Sequence, residues 1–280
     1  MTGPLRSTAL QLKTARRVLP RGGGPLRARL GPLDDRMVFV IGSPRSGTTF
    51  LGRSLGTLPG FVDLGEVAPL KAVIPELAGL PPQAAARRIR RILAATRRLG
   101  LVGSRRAVEQ TPETAFVAEE AALAFPEAAF VHIVRDGRDV VCSLLERGWL
   151  SAGKIGTDET GYAFGAAPRF WVEPERRDEF RATSDARRAA WAWRRYVSAA
   201  RRLEPRAFEL RYERLAAEPS AVATELAEFL EAPSEPLELA LRHVHGSSIG
   251  RHERDLSGAA RADVLAEAGD LLRELGYIDA

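Results

Sequence analysis

The segment Gly42–Thr49, which reads GSPRSGTT, constrains the fold of this chain more than any other. It follows the wholly apolar run Met37–Ile41, which is typical of a strand buried on both faces. A helical pattern then covers about 48–58, and Pro59 and Gly60 end it. In a glycine-rich turn between a buried strand and a helix, unpaired backbone N–H groups and the positive end of the helix dipole point at one place. The sequence therefore predicts an anion-binding loop.

The side chains of this loop indicate which anion it binds. A Walker A loop has the same glycine spacing, but it requires a lysine where this chain has Thr48. The cation of this loop is instead Arg45, and the remaining donors are Ser46, Gly47, Thr48 and Thr49. We expect the loop to bind a phosphate or phosphosulfate group without the lysine that contacts a γ-phosphate.

The rest of the chain alternates between strand and helix patterns. The run 129–134 predicts a second buried strand, and 106–109 and 207–210 predict weaker ones. Helices are predicted at about 84–98, 113–125, 136–147, 219–230, 236–244 and 259–275. This alternation predicts an α/β fold, a P-loop-like three-layer sandwich with a central parallel sheet flanked by helices. Because no repeat or composition break occurs, we expect one domain over 37–280.

A second strand–turn–helix unit also carries basic residues. Arg135 follows the strand 129–134 at its carboxyl end, where open α/β sheets bind ligands. Ser143 lies two helical turns later and can flank the same phosphate if that phosphate lies along the helix face. Two anion sites favour a ligand that carries two separate anionic groups.

The segment 44–50 resembles the 5′-phosphosulfate loop of sulfotransferases that use PAPS (3′-phosphoadenosine 5′-phosphosulfate), in the form found in the bacterial and tyrosylprotein branches. The resemblance implies that Arg135 and Ser143 bind the 3′-phosphate of PAPS and of its product PAP, and that 37–280 form one sulfotransferase domain. It also implies an in-line transfer of a sulfuryl group to a hydroxyl acceptor, with no metal required. We expect the two anion sites to be about one adenosine apart.

Two weaker matches extend this resemblance to the end of the chain. The segment 247–256 resembles the family's late loop, which implies that Arg251 and Ser248 close over the nucleotide. The segment 210–215 resembles a strand end of the family, where Tyr212 could pack on the adenine or serve as an ordinary core residue.

The general base is the point where the chain departs from the cytosolic branch of the family. That branch uses a histidine, but the comparable stretch 108–113 contains none, and Gln110 stands where many relatives have lysine. The resemblance to the tyrosylprotein-like enzymes implies Glu66 as the base. A carboxyl group in a partly buried cleft can have the raised pKa that this role needs. The next candidates are His132, Glu109 and Glu113.

The composition of the chain excludes some classes of binding partner but does not identify one. The formal net charge is +5, which also fits nucleic-acid binding, but no nucleic-acid motif is found. The single cysteine, Cys142, and the lack of any run long enough to cross a bilayer favour the cytoplasm, and no zinc site is expected. The basic segment 1–36 predicts a poorly ordered tail.

Two other functions remain open at this stage. A P-loop kinase of a small molecule would use ATP and magnesium, although Thr48 argues against it. A non-catalytic nucleotide or nucleic-acid binder would show strongly salt-dependent binding. The leading interpretation is sulfuryl transfer to a small metabolite, lipid or sugar, which we expect to contact the irregular segment 149–183.

Overall fold

A five-stranded parallel sheet forms the centre of the molecule. The computed structural model describes residues 4–21 and 29–279. The strands are β1 (Val38–Ile41), β2 (Phe61–Gly65), β3 (Arg106–Glu109), β4 (Ala129–Val134) and β5 (Ala207–Arg211), in the spatial order β2-β3-β1-β4-β5. With β1 in the middle, the loop after β1 and the turn after β4 lie side by side at the carboxyl edge of the sheet.

Helices pack on both faces of this sheet. They are α1 (Pro4–Val18), α2 (Thr48–Gly56), α3 (Ala68–Lys71), α4 (Ile74–Leu77), α5 (Pro82–Leu99), α6 (Ala118–Ala124), α7 (Gly137–Arg147), α8 (Arg177–Ala182), α9 (Asp185–Arg201), α10 (Tyr212–Ala217), α11 (Pro219–Leu230), α12 (Ser234–Leu241), α13 (His252–Asp255) and α14 (Gly258–Glu274). In the described part of the chain, 3₁₀ turns cover Leu19–Arg21, Pro112–Val117 and Pro174–Arg176. Among the described residues, no helix is long and apolar enough to span a membrane.

The side chains of β1 show why this sheet is covered on both faces. Phe39 and Ile41 point into one buried cluster with residues of α5, α6 and α9, whereas Val38 and Val40 point into another with residues of α2 and α11. All four are fully buried. The alternation of side chains along a strand sends successive residues to opposite faces, so an apolar run requires a helical layer on each side. The predicted three-layer α/β architecture is confirmed.

The elements differ from the sequence pattern at several points. Strand β2 was not predicted, because its inner residue Asp63 is polar and breaks the apolar run. The predicted helix 113–125 is a 3₁₀ turn followed by the shorter helix α6. The segment 149–183 is irregular up to residue 173, as predicted, and then forms a 3₁₀ turn and α8.

The first described residues form a packed helix where the sequence pattern suggested a poorly ordered tail. In α1, Val18 is fully buried and Leu10 and Ala15 are nearly so, which gives the helix one apolar face. Arg17 donates through Nη2 to the backbone oxygen of Leu64 at 2.8 Å, which fastens the helix to the end of β2. The remainder of the predicted tail includes residues 1–3 and 22–28, which lie outside the described residues.

Candidate active site

The loop after β1 has the geometry of an anion site. Gly47 precedes α2 with a left-handed φ of 100°, and Arg45 also has a positive φ of 73°. No side chain caps the start of α2, so its first N–H groups stay available to a ligand. The Oγ of Ser46 is buried and has no hydrogen-bond partner among the described residues. A buried hydroxyl without a partner is costly, so this donor fits an anion held in the loop.

Arg135 lies directly beside this loop. Its Nη1 donates to the backbone oxygen of Arg45 at 3.4 Å, and its Nη2 donates to the Oγ of Ser248 at 3.0 Å. The guanidinium carbon lies 4.8 Å from the ring centre of Tyr212, in a cation–π contact. The Nε of Arg135 is buried without a partner in the described part of the chain. This guanidinium therefore keeps an unused donor next to the loop.

Tyr212 packs against the loop after β1. A Cβ placed on Gly47 would lie 2.8 Å from Cδ2 of Tyr212, so only glycine allows this approach. The Tyr212 hydroxyl donates to the backbone oxygen of His245 at 2.7 Å. Because the residue is buried, its ring is occupied by packing against Gly47 and Arg135.

The late loop is attached to α7 by one buried carboxylate. Asp139 Oδ2 accepts from the backbone N–H of Gly250 at 2.8 Å, and its Oδ1 accepts from the backbone N–H of His252 at 3.0 Å. Arg251 forms ion pairs with Glu146 of α7 and, at 2.7 Å, with Asp255. The structure thus brings the segment 247–252 to the same helix that carries Ser143.

The two predicted anion clusters are in direct contact. The Nε of Arg45 donates to the Oγ of Ser143 at 2.9 Å. This arrangement places both clusters on one face of the molecule, as predicted, but without the predicted space of one adenosine between them. The long, half-buried side chain of Arg45 reaches from the loop to α7. Binding of a 3′-phosphate between Arg135 and Ser143 would require Arg45 to release Ser143.

Glu66, just after β2, faces the same edge of the sheet. Its carboxylate Oε2 lies 3.4 Å from Lys71 Nζ, which is also 3.5 Å from Glu113 Oε1 and 3.6 Å from Asp158 Oδ2. Burial raises the pKa of Glu66 above its ordinary value; the Lys71 ammonium opposes this rise, and the Glu113 carboxylate adds to it. Its side chain is 40% exposed, so the carboxylate is still accessible from the cleft.

The Lys71 ammonium is held in the centre of this group. Burial alone would lower the pKa of Lys71, but the surrounding carboxylates, Glu113 foremost, raise it above its ordinary value. The hydroxyl of Tyr162 donates to the backbone oxygen of Lys71, which fixes the start of this side chain. Lys71 therefore stays charged and holds Glu66 in place.

The other candidate bases are less suitably placed. Glu109 is fully buried, its carboxylate accepts from Thr111 N at 2.8 Å, and burial raises its pKa to about 8. His132 is buried on β4, where Nδ1 lies 3.1 Å from Glu209 Oε2. Glu113 reaches the cleft but is bound to Lys71 and accepts from the hydroxyl of Tyr196 at 3.1 Å. Of these groups, only Glu66 is both accessible and adjacent to the loop.

A cavity of about 260 Å³ joins the loop to Glu66. Its wall combines the loop with the irregular segment 149–183, and its lining includes Arg45, Thr48, Glu66, Trp149, Phe164 and Arg169. Lys71 and Asp158 also belong to this site and were not predicted from the sequence. Neither stands in a recognisable motif, because the packing of separate segments brings them together.

A protein-family model also matches this chain. The model described as "Sulfotransferase family" matches residues 82–236, just over half of the 280-residue chain. The matched range contains Arg135, Ser143 and Tyr212 but neither the loop after β1 nor Glu66. The chain matches no curated protein in sequence.

Solved sulfotransferase structures align with most of this chain. The sulfotransferase domain of the Synechococcus olefin synthase aligns with a TM-score of 0.53 and 17% identity, over 86% of this chain and 95% of that one. The sulfotransferase domain of the curacin biosynthetic pathway has a TM-score of 0.49 and 20% identity, over 81% and 84%. A sulfotransferase from Mycobacterium avium has a TM-score of 0.48 and 16% identity, over 96% and 86%. From the family match over most of the sheet and the P-loop-like fold shared with the first of these structures, we conclude that the chain belongs to the sulfotransferase family.

Proposed function

We propose that this protein transfers the sulfuryl group of PAPS to the hydroxyl group of a small acceptor, with Glu66 as the base. The observation that carries the proposal is the convergence of two cationic clusters, around Arg45 and Arg135, at one edge of the sheet beside Glu66. The unpartnered Ser46 Oγ and Arg135 Nε fit a ligand with two anionic groups. Tyr212, Ser248 and Arg251 border the same nucleotide site in this proposal.

Each residue of the proposed site has a separate role in the sulfuryl transfer. Arg45, Thr48, Thr49 and the loop N–H groups neutralise the charge that develops on the bridging oxygen of the donor. Glu66 accepts the proton of the acceptor hydroxyl as that oxygen forms its bond to sulfur. The bond between sulfur and the phosphate oxygen breaks in the same in-line displacement, and its electron pair remains on PAP. Lys71 holds Glu66 toward the cavity and is a positioning residue.

Ligand-induced stabilisation tests the donor. A ligand that binds only the folded state raises the melting temperature, and the rise increases with the logarithm of the ratio of ligand concentration to dissociation constant. We expect PAP and PAPS to raise it by several degrees at millimolar concentration and ATP with Mg²⁺ to raise it much less. Stabilisation by ATP with Mg²⁺ but not by PAP would contradict the proposal and support a P-loop kinase.

Replacement of the base tests the mechanism separately. In E66Q the amide cannot accept a proton, so turnover with labelled PAPS should fall by about 10²–10⁴-fold, the usual contribution of a general base. The dissociation constant for PAP should change little, because the nucleotide clusters do not include Glu66. Near-normal turnover in E66Q would place the base elsewhere.

A further inference from the structure

A second cavity of about 330 Å³ lies on the other side of Glu66. It shares Thr49, Glu66 and Glu159 with the cavity that reaches the loop, so the two open onto the same carboxylate. Its far wall is formed by α1 and the 3₁₀ turn after it, together with α2. A group seated there would therefore be attached to an acceptor whose hydroxyl reaches Glu66.

The wall is rich in cations. Lys13, Arg17 and Arg21 recur every four residues, so they lie along one face of α1 and its extension. Arg53 adds a guanidinium from α2, one turn after Thr49. The carboxylates that line the cavity are Glu66 and Glu159.

Two of the four cations have no carboxylate partner among the described residues. Arg21 pairs with Asp63 Oδ2 at 2.5 Å, whereas Arg17 donates to the backbone oxygens of Leu64 and Glu66. Lys13 and Arg53 are exposed and form no hydrogen bond or ion pair with any residue that the structure describes. Lys13 and Arg53 are therefore available to an anionic group in the cavity.

The backbone is shaped to hold Arg17 at this place. Gly65 has a left-handed φ of 64°, and a Cβ there would lie 3.0 Å from Arg17 Nη2. A side chain at this position would press against the guanidinium, which would have to shift by a few tenths of an ångström. Glycine therefore allows a cation to stand directly beside the residue that carries the base.

We propose that this cavity is an acceptor subsite that binds an anionic oxygen group, a carboxylate, phosphate or sulfate, on the molecule that receives the sulfuryl group. The inference rests on the proposed function, since it assumes that Glu66 faces the acceptor. Charged donors in a concave wall bind such a group through charge-assisted hydrogen bonds. Lys13 and Arg53 are the groups that contact it.

Matched acceptor pairs test the subsite. The probes are 4-hydroxyphenylacetate with its methyl ester and glucuronate with glucuronamide, titrated calorimetrically into the full-length protein saturated with PAP. In at least one pair we expect the anionic member to bind about tenfold more tightly, the size of one charge-assisted hydrogen bond. The preference should decrease as salt is added.

Two variants test whether Lys13 and Arg53 cause the preference for the anionic acceptor. In the double variant K13A/R53A the ratio of the two affinities should fall to about threefold or less, since part of the charged wall remains. R16A removes one positive charge from an exposed position of α1 that does not line the cavity, and it should keep the ratio of the wild type.

The outcomes separate the two proposals. Equal affinities within both pairs, binding of neither member, or an equal loss of preference in R16A and K13A/R53A would overturn the subsite. If PAP still stabilises the fold in those cases, the donor assignment stands. Failure of PAP to bind would instead overturn the proposed function.

Discussion

Glu66 is subject to two opposing charges whose effects can be separated. The Lys71 ammonium lowers the pKa of its carboxyl group, and the Glu113 carboxylate raises it. As a base, Glu66 must be ionised, so kcat/KM should fall as the pH drops through its pKa. The position of this acid limb therefore reports the charge balance around one side chain.

Isosteric changes on either side of Glu66 should move this limb in opposite directions. E113Q removes the carboxylate that raises the pKa of Glu66, so we expect the acid limb of kcat/KM at lower pH. K71M removes the ammonium that lowers it, so we expect the limb at higher pH. The measurement is a pH–rate profile of each variant with saturating PAPS. A limb that stays in place in both variants would show that Glu66 is not the titrating group.

Glu109 makes a separate prediction about stability. Burial raises its pKa from 4.5 to about 8, so the folded protein retains a proton that the unfolded chain loses. The free energy of unfolding should therefore fall as the pH rises from about 4.5 to about 8. E109Q has no such proton to lose and should gain stability relative to the wild type over this window, by a few kcal/mol at most (about 1.4 kcal/mol per pKa unit).

Urea unfolding at pH 5 and pH 8 measures this difference. The advantage of E109Q should be small at pH 5 and larger at pH 8. E228Q, on the exposed side of α11, provides the control and should show no such pH dependence. An equal effect of E109Q at both pH values would contradict the raised pKa of Glu109.

At the scale of elements, α7 connects most parts of the candidate site. It carries Ser143, which binds Arg45, and Asp139, which holds the late loop. Its first turn packs against α9, where Trp193 Nε1 donates to the backbone oxygen of Arg135 at 3.0 Å. The exact approach of α7 to α9 therefore sets the position of Arg135.

Gly137 makes this approach possible. A Cβ there would lie 2.6 Å from Trp193 Cδ2, so G137A should force α7 and α9 apart. We expect a loss of about 1–3 kcal/mol in the free energy of unfolding, typical of overpacking, together with weaker PAP binding. Thermal melts with and without PAP measure both effects.

G258A is the matched control for this variant. Gly258 also begins a helix, α14, but a Cβ there meets no atom within 4 Å. We expect this variant to keep both its stability and its affinity for PAP. If G137A behaved like G258A, the position of Arg135 would not depend on the packing of α7 against Trp193.

At the scale of the whole molecule, α1 closes one side of the site without touching the nucleotide clusters. Deletion of residues 1–21 removes the buried Val18 and the bonds of Arg17 and Arg21 to the end of β2. The melting temperature should fall by roughly 5–10 °C, since the lost apolar burial is worth a few kcal/mol. The further rise produced by PAP should remain, because Arg45, Arg135 and Ser143 keep their neighbours. A truncated protein that no longer responds to PAP would show that α1 also shapes the donor site.

Local patterns in the sequence predicted the fold class and most elements. An apolar run, a glycine-rich turn and a helical repeat specify β1, the loop and α2 within about twenty consecutive residues, and their alternation leads to a parallel sheet. The loop residues and the pair Arg135 and Ser143 were predicted as site residues on the same basis. Their assignment to a nucleotide remains a prediction.

The tertiary structure alone decided how the site is completed. Lys71 contacts Glu66, Glu113 and Asp158, which come from three separate segments. No spacing in the sequence predicts these contacts. The packed helix α1 was also not predicted from the sequence. Its composition is strongly basic, and its apolar face, which ends in Val18, is narrow. The sequence determines what each strand–turn–helix unit can bind, since that chemistry is local. Which side chains surround the base depends on the packing of distant segments, and this is settled only when the sheet and its helices have assembled.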